Sequence, residues 1–415
     1  MSYITYESLF LFLGELNLSL SMRGLLFAFL KISEFFRKVR LSISGKTEDD
    51  IHDERVVSGK SWDEFCDQLK LAGSTLHLPG TPQNPFNQAE GLRYLTRLTR
   101  AGLEAFVEYA DPAFPVFKRM VHETVKMGAD NPDNYYFNAQ ISGDFEYVIR
   151  GKRNSVHYIG FFTQNGNYGT TGGLAPCGVL EGSDLIVEED GSFEISVCRE
   201  RKGSNWLKIE PETSMVMVRQ TFLNRFEETP AEVHIENTDG RTAPSALTPK
   251  MIDEGLKMAS MFIAGAPVLF ARWAKGFQKH PNKLPLFDPE VSNAAGGDAN
   301  ITYYHSYWSL KEDEALVITV MPPECDSWNF QLNNYWMESL DYRYFTICVS
   351  KGNATYEPDG SLRVIVAHQD PGLPNWINTC EHSEGTMCWR WYRLKDQNDA
   401  VEPHCEVVKF DTLLV

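Results

Sequence analysis

The chain has 415 residues, of which 43% are hydrophobic and 23% charged, and its formal net charge is −17 at neutral pH. That length calls for two or three cores rather than one, and the composition is globular, neither disordered nor fibrous. The acidic balance argues against a nucleic-acid partner, which needs a basic face to neutralise phosphates.

Residues 9–36 are rich in Leu and Phe but broken by Glu15, Asn17, Arg23 and Lys31. No apolar run reaches the roughly 18–20 residues that cross a bilayer, and the charge and cleavage pattern of a secretory signal is missing. Segment 1–45 therefore reads as amphipathic helix followed by the basic cluster Arg37, Lys38 and Arg40. Packing on the body of the protein is the expected role, with peripheral membrane contact through residues 9–40 as the alternative. A cytoplasmic or membrane-peripheral location is favoured.

Residues 44–56 are charged and poor in apolar side chains, so they read as a linker within a region, 46–130, that is otherwise helical. Trp62, Phe65, Leu69 and Leu71 open one helix. In the next, Leu92, Leu95, Leu98, Leu103 and Phe106 recur at mostly three-residue intervals with Arg93, Arg97 and Arg100 opposite, read as an amphipathic helix. Arg100 and Glu104 form an i,i+4 pair on it, and Asp111-Pro112 ends it.

From 131 to 247 short alternating runs punctuated by Asn-Pro, Asn-Gly and Asp-Gly predict a first β-sandwich. Residues 248–285 form a helical connector, opened by Thr248 as N-cap and Pro249 at the first turn. Pro267 is expected to split it. Residues 286–415 return to β texture and form a second sandwich. The fold class is α+β, with two antiparallel jelly-roll-like sandwiches, an N-terminal helical region and an intervening helical segment.

The two β regions share a sentence. Residues 190–219 read DGSFEISVCRERKGSNWLKIEPETSMVMVR and residues 359–390 read DGSLRVIVAHQDPGLPNWINTCEHSEGTMCWR. In each, Asp-Gly supplies the positive φ of a tight turn. Ile195 and Val197, or Val364 and Val366, face a core at period two. The Asn-Trp pair, Asn205-Trp206 or Asn375-Trp376, bends the chain, with the indole directed inward, and Arg219 or Arg390 is expected across its face. What both copies hold is read as scaffold, so features of one copy are the better candidates for chemistry.

Those features gather late in the chain. The run from Trp328 to Tyr342 is dense in amides and aromatics, and Gln331 and Asn333 share one face of an extended strand. With Trp336, His382, Arg390 and Trp391 they form the expected ligand-binding set, since amides beside aromatics orient polar ligands. Asp341 and His382 are the weak catalytic candidates. No His-x-His or His-Glu-x-x-His spacing occurs, so no metal and no cofactor is expected; His368, His382 and His404 with Glu338 or Asp341 are the set that could gather. Ser339, Asp341 and His382 are residue types without a nucleophile motif. The eight cysteines lack paired spacing and are expected as free thiols.

Several runs resemble the family called domain of unknown function 1214: PDNYYFNAQISGDFEYVIRG at 132–151, NWLKIEPETSMVMVRQTF at 205–222, WNFQLNNYWMESLDYR at 328–343 and DPGLPNWINTCEHSEGTMCWRW at 370–391. Asn84–Tyr94 is similar to the helical segment that precedes the domain. The resemblance spans roughly residues 60–415 and implies two jelly-roll-like sandwiches flanking a helical region. It carries no established activity or catalytic residue. The leading expectation is therefore a pocket in the C-terminal sandwich for a small, neutral, polar-aromatic or sugar-like ligand, with turnover left open. A hydrolase acting on a glycosidic or amide bond is one alternative, and a structural or membrane-peripheral interaction protein is the other.

Overall fold

A computed structural model describes residues 45–166 and 175–413. The N-terminal amphipathic segment lies outside the described residues. The chain divides into two compact units, residues 1–60 and 61–415.

The first unit holds helix α1 (Glu48–Val57), where the sequence suggested a linker. Its cause is local: Thr47 Oγ1 accepts from Asp50 N at 3.1 Å, and Asp50 returns the bond to Thr47 N at 2.8 Å. Such a reciprocal cap, with acids in the first turn, supports a helix that buries nothing.

In the larger unit, α2 (Lys60–Gly73) buries Phe65 and Ala72 while Trp62 faces out. Helix α3 (Pro85–Leu103) starts on Asn84, whose side chain accepts from Asn87 N, and ends in a π-helical turn over Glu104–Glu108. Its buried stripe is Asn87, Glu90, Gly91, Tyr94, Leu98 and Ala101, not the expected leucine stripe: Leu92 is 58% exposed. Arg97 is not on the solvent side, since its guanidinium pairs with buried Glu338. Arg100 donates to Thr124 and not to Glu104. Helix α4 (Pro249–Phe277) begins at Thr248 as read, but runs unbroken through Pro267. Burial of Ile263, Ala264, Phe270 and Ala271 around that proline outweighs the roughly 3 kcal/mol that an interior proline costs. By length and composition α4 could cross a membrane, yet much of it is buried within the protein. A short helix α5 (Pro289–Ala294) follows.

The first sandwich contains β1 (Lys118–Val121), β2 (Asn134–Gln140), β3 (Tyr147–Lys152), β4 (Tyr158–Asn165), β5 (Ala175–Glu181), β6 (Ser192–Cys198), β7 (Trp206–Lys208), β8 (Thr213–Thr221) and β9 (Glu232–Asn237). Its sheets run β1-β2-β8-β4-β5 and β7-β6-β3-β9. The second contains β10 (Ile301–Ser309), β11 (Glu314–Val320), β12 (Cys325–Leu332), β13 (Cys348–Ser350), β14 (Leu362–Ala367), β15 (Trp376–Asn378), β16 (Glu384–Leu394) and β17 (His404–Lys409). Its sheets run β10-β16-β12-β13 and β15-β14-β11-β17. With β1 set aside, the two strand orders are the same. All pairs are antiparallel except β6 with β7 and β14 with β15.

The shared sentence makes the same bonds twice. Asp190 Oδ1 accepts from Ser192 N and Oγ at 3.0 and 2.6 Å, and Asp359 Oδ1 accepts from Ser361 N and Oγ at 2.9 and 2.7 Å. Gly191 and Gly360 sit at φ +82° and +85°, where a side chain would be strained. Asn205 clamps Ile186 and Glu194, while Asn375 clamps Thr355 and Arg363. Trp206 and Trp376 are half-buried at sheet edges, each indole donating at 3.1 Å to a strand carbonyl, of Cys198 or Ala367.

Each sandwich closes over its own core. Ile149, Phe161, Ile195, Val197 and Val218 fill the first. Trp328, Phe330, Val364, Val366, Trp389 and Trp391 fill the second, with Trp328 stacked on Trp389 at 5.3 Å. All eight cysteines are free thiols.

Candidate functional site

The alternation that builds the second core decides what faces away from it. On β16, Met387, Trp389 and Trp391 point inward, so Cys388, Arg390 and Tyr392 occupy the other face. On β12, Trp328, Phe330 and Leu332 are core, which turns Asn329 and Gln331 outward. The corresponding face of the first sandwich carries Tyr136 on β2 and Arg219 on β8, directly paired in register, as Tyr303 and Arg390 are on β10 and β16.

Between these faces and α4 lies a cavity of about 810 Å³, within the range of sites for drug-sized ligands. Its polar floor holds Arg219, Arg390, Tyr136, Tyr303, Tyr392 and Asp130. Its apolar wall comes from Met217 on β8, from Met258, Phe262, Phe270 and Trp273 on α4, and from Val121.

Arg219 and Arg390 are both buried, at 6% and 5% exposed, but differently partnered. Arg219 Nη1 pairs with Asp298 Oδ2 at 2.6 Å, and its Nε has no partner among the described residues. Its guanidinium lies over Phe162 and Tyr136, and that of Arg390 over Tyr303; neither covers Trp206 or Trp376, as the sequence suggested. Arg390 donates to Gln331 Oε1 at 2.7 Å, to Asn329 Oδ1 at 3.4 Å and to the Ala129 carbonyl. Among the described residues no carboxylate lies within ion-pair distance of it. Gln331 Nε2 in turn donates to Asp130 O at 2.8 Å and to Asn333 Oδ1 at 2.6 Å. The amide ladder Asn329–Gln331–Asn333 thus stands one layer behind Arg390 and ties the strand to loop 129–131. Gln331 and Asn333 share a face, but they support the wall and do not line the cavity.

His305 completes the floor in an aromatic box: Phe277 and Tyr303 stack on it at 5.5 and 5.6 Å, and Phe287 meets it edge-on at 5.1 Å. Burial, with Arg390 nearby, pushes its pKa down to about 3, so the ring is neutral. Burial also raises the Tyr303 phenol to about 12, against the pull of Arg219. Asp130 is held by Ser339, whose N and Oγ donate to it at 2.9 and 2.8 Å.

Other residues singled out from the sequence lie elsewhere. Trp391 is in the second core, since neighbours on a strand cannot share the face of Arg390. Trp336 donates its indole N–H to Asn87 O at 2.9 Å, and the ring rests where Gly91 of α3 leaves room. His382 Nε2 meets Glu90 Oε2 at 2.8 Å while Nδ1 faces the Thr379 and Cys380 carbonyls. Trp336 and His382 therefore fasten α3 to the second sandwich. Asp341 is gripped by Arg343, which holds its carboxyl below the usual range, and it is not part of the cavity. His368 bonds Thr379, His404 is exposed on β17, and Glu338 pairs with Arg97, so the candidate metal set does not gather. Among the described residues no group of three His, Cys, Asp or Glu side chains is arranged for a metal ion.

Arg219, Tyr136, Tyr303 and His305 were not among the residues singled out from the sequence as ligand-binding. The signal for Arg219 is the arginine at the same station in both copies, of which the sequence singles out only Arg390 as ligand-binding.

Among curated proteins, no match was found. A putative uncharacterised protein from Burkholderia cenocepacia, solved as a crystal structure, is 46% identical. The match covers 86% of this chain and 99% of that one, with a TM-score of 0.84. The VPA0106 protein from Vibrio parahaemolyticus is 11% identical over 82% of this chain and 100% of its own, with a TM-score of 0.44. The family model described as "Protein of unknown function (DUF1214)" matches residues 308–396. With the strands that carry Gln331 and Arg390 inside that match, and near-full coverage of a relative at this identity, the chain belongs to the DUF1214 family.

Proposed function

We propose that this protein binds a small, partly apolar molecule in the cavity between its two sandwiches. The observation that carries the reading is a set of buried polar atoms on lining residues that have no partner among the described residues: Arg219 Nε, His305 Nδ1 and Gln164 Oε1. A buried polar group left unpaired costs about 1–3 kcal/mol, and all three atoms belong to residues that line one cavity, where a small side-chain rotation would offer them to a bound molecule. The apolar wall offers methionines, which adapt to a ligand's shape. The site so placed lies on the outer face of the C-terminal sandwich, whose interior is filled by tryptophans. The like strand orders and matching bonds support reading the two sandwiches as copies of one unit, with the cavity at their junction. Asp341, the acid put forward for hydrolysis, lies outside the lining, and binding is therefore preferred to turnover.

Mass spectrometry of the full chain purified from cells and then denatured tests this. A small molecule retained near one equivalent, and lost in a cavity-filling Met217→Trp variant, is the expected result. A ligand at a hundred times its Kd should also stabilise the fold by about 2.7 kcal/mol, raising Tm by several degrees. No retained molecule, and no shift across carboxylates, alcohols, amides and sugars, would overturn the reading.

A further inference from the structure

We propose that the ligand is a monocarboxylate with an apolar body, its carboxylate seated on Arg390; this rests on the cavity being a binding site. The argument begins with the likeness of the two halves. Asn131 and Asp298 each sit five residues before the floor tyrosine of their half, Tyr136 or Tyr303. Each donates its backbone N–H to that hydroxyl at 3.3 Å. Each also accepts, at 2.9 Å through its side-chain oxygen, the N–H two residues on. They are structural counterparts. Asp298 neutralises the arginine of the opposite sandwich, Arg219. By that correspondence Asn131 takes the acid's place for Arg390, but it is an amide, and its side chain bonds Tyr392 and Asn329 instead. One buried guanidinium therefore donates only to neutral oxygens, with the Asp130 and Asp133 carboxylates acting on it from beyond ion-pair distance, an arrangement that an anion from outside would complete.

The hydrogen bonds point the same way. Tyr136, Tyr303 and Tyr392 each accept a bond, from Asn134 and Asn131, from Asp298 N and from Asn131 Nδ2 respectively. None of the three hydroxyls donates to a described protein group. The Asp130 carboxylate on the floor already accepts from Ser339 N and Oγ; with Arg219 Nε, the remaining open positions are donors. His305 Nδ1 and Gln164 Oε1 can join them by a change of tautomer or an amide flip. A floor of donors around a guanidinium with no described carboxylate at ion-pair distance fits an acceptor-only group of charge −1. A carboxylate meets that description and matches the planar fork of arginine; a phosphate dianion would bring a second charge with nothing to balance it. The wall of Met217, Met258, Phe262, Phe270 and Trp273 would take the apolar body.

The test compares decanoate, decan-1-ol and decylamine by calorimetry on the full chain at fixed ionic strength. Decanoate should bind at least about 10-fold more tightly than decanol, with decylamine weakest. Asn131→Asp supplies the missing internal carboxylate, so it should remove the preference for decanoate while leaving decanol binding in place. Tyr303→Phe, which keeps the ring and deletes one donor, should lower decanoate affinity about 5- to 10-fold without affecting decanol. Equal binding of decanol and decanoate, or a decanoate preference that survives Asn131→Asp, would overturn the carboxylate assignment and leave the cavity reading intact. If none of the three binds, the carboxylate assignment falls as well. The cavity reading is then decided by the retained molecule described above.

Discussion

Replacing His305 by Phe should abolish part of the acid sensitivity of the fold. The imidazole is 6% exposed, boxed by Phe277, Phe287, Trp273 and Tyr303, with its Nδ1 unpartnered and Cys388 Sγ 3.8 Å from Nε2. Burial first, then Arg390, lowers its pKa from 6.5 to about 3. Above pH 6.5 the ring is neutral in both states and contributes no pH dependence. Below it the unfolded chain takes up a proton that the folded chain refuses until about pH 3, so stability falls as pH falls through that window. The slope is about 1.4 kcal/mol per pH unit, which gives roughly 2 kcal/mol by pH 5 and 4–5 kcal/mol over the whole window. Phenylalanine suits the same box and does not titrate. Urea unfolding of both proteins at pH 7, 6 and 5 provides the assay. Asp133, raised to about 6 by burial against the pull of Arg225, contributes the opposite slope, so only the difference between the two proteins isolates His305. That difference should shift by about 2 kcal/mol in favour of the variant between pH 7 and pH 5. Parallel curves would mean that the ring titrates normally in the folded state, and the argument would be wrong.

The remaining predictions concern the frame around the cavity. Trp389→Ala, which empties the centre of the stacked indoles, should cost about 3–5 kcal/mol by urea unfolding. Gly91→Ala would place a Cβ 2.6 Å from the Trp336 ring and 2.5 Å from Leu76 Cδ2; a loss of about 1–3 kcal/mol is expected as α3 is pushed off. Arg97→Ala strands the fully buried Glu338 carboxylate and should cost about 3–5 kcal/mol. Asp341→Asn, by contrast, breaks only a partly exposed pair with Arg343. Less than about 1 kcal/mol should be lost, and decanoate titration should be unchanged.

Much of the architecture was legible because it is written in local signals. Alternation placed Ile195, Val197, Val364 and Val366 in their cores, Asp-Gly marked the turns, and Thr248-Pro249 marked the start of α4. Helix α1 escaped because it rests on a local cap and buries nothing; two further helical details escaped for tertiary reasons. Pro267 does not break α4 because its surroundings are buried, and the α3 stripe follows Gly91, Tyr94 and Leu98 because Trp336 and α4 claim that side. The cavity was harder to read. Gln331, Asn333 and Arg390 were singled out together and do meet, but Trp391 was grouped with Arg390 although period two sends it to the opposite face. The larger obstacle was that the floor draws an arginine and at least one tyrosine from each sandwich. Residues from β2 and β16 are remote in sequence, and only the docking of two similar sheets makes them neighbours. Treating shared residues as scaffold set aside Arg219, because each half contributes the same kind of residue to one common surface.

A pocket assembled from matching halves of two identical subunits would be bound to present the same groups from either side, and a lopsided guest could enter it in two equivalent poses. Here both halves sit on a single polypeptide, so each is free to drift. Position 298 holds an acid where position 131 holds an amide. That difference gives the chamber a head and a tail, and a guest with unlike ends would have one way to lie.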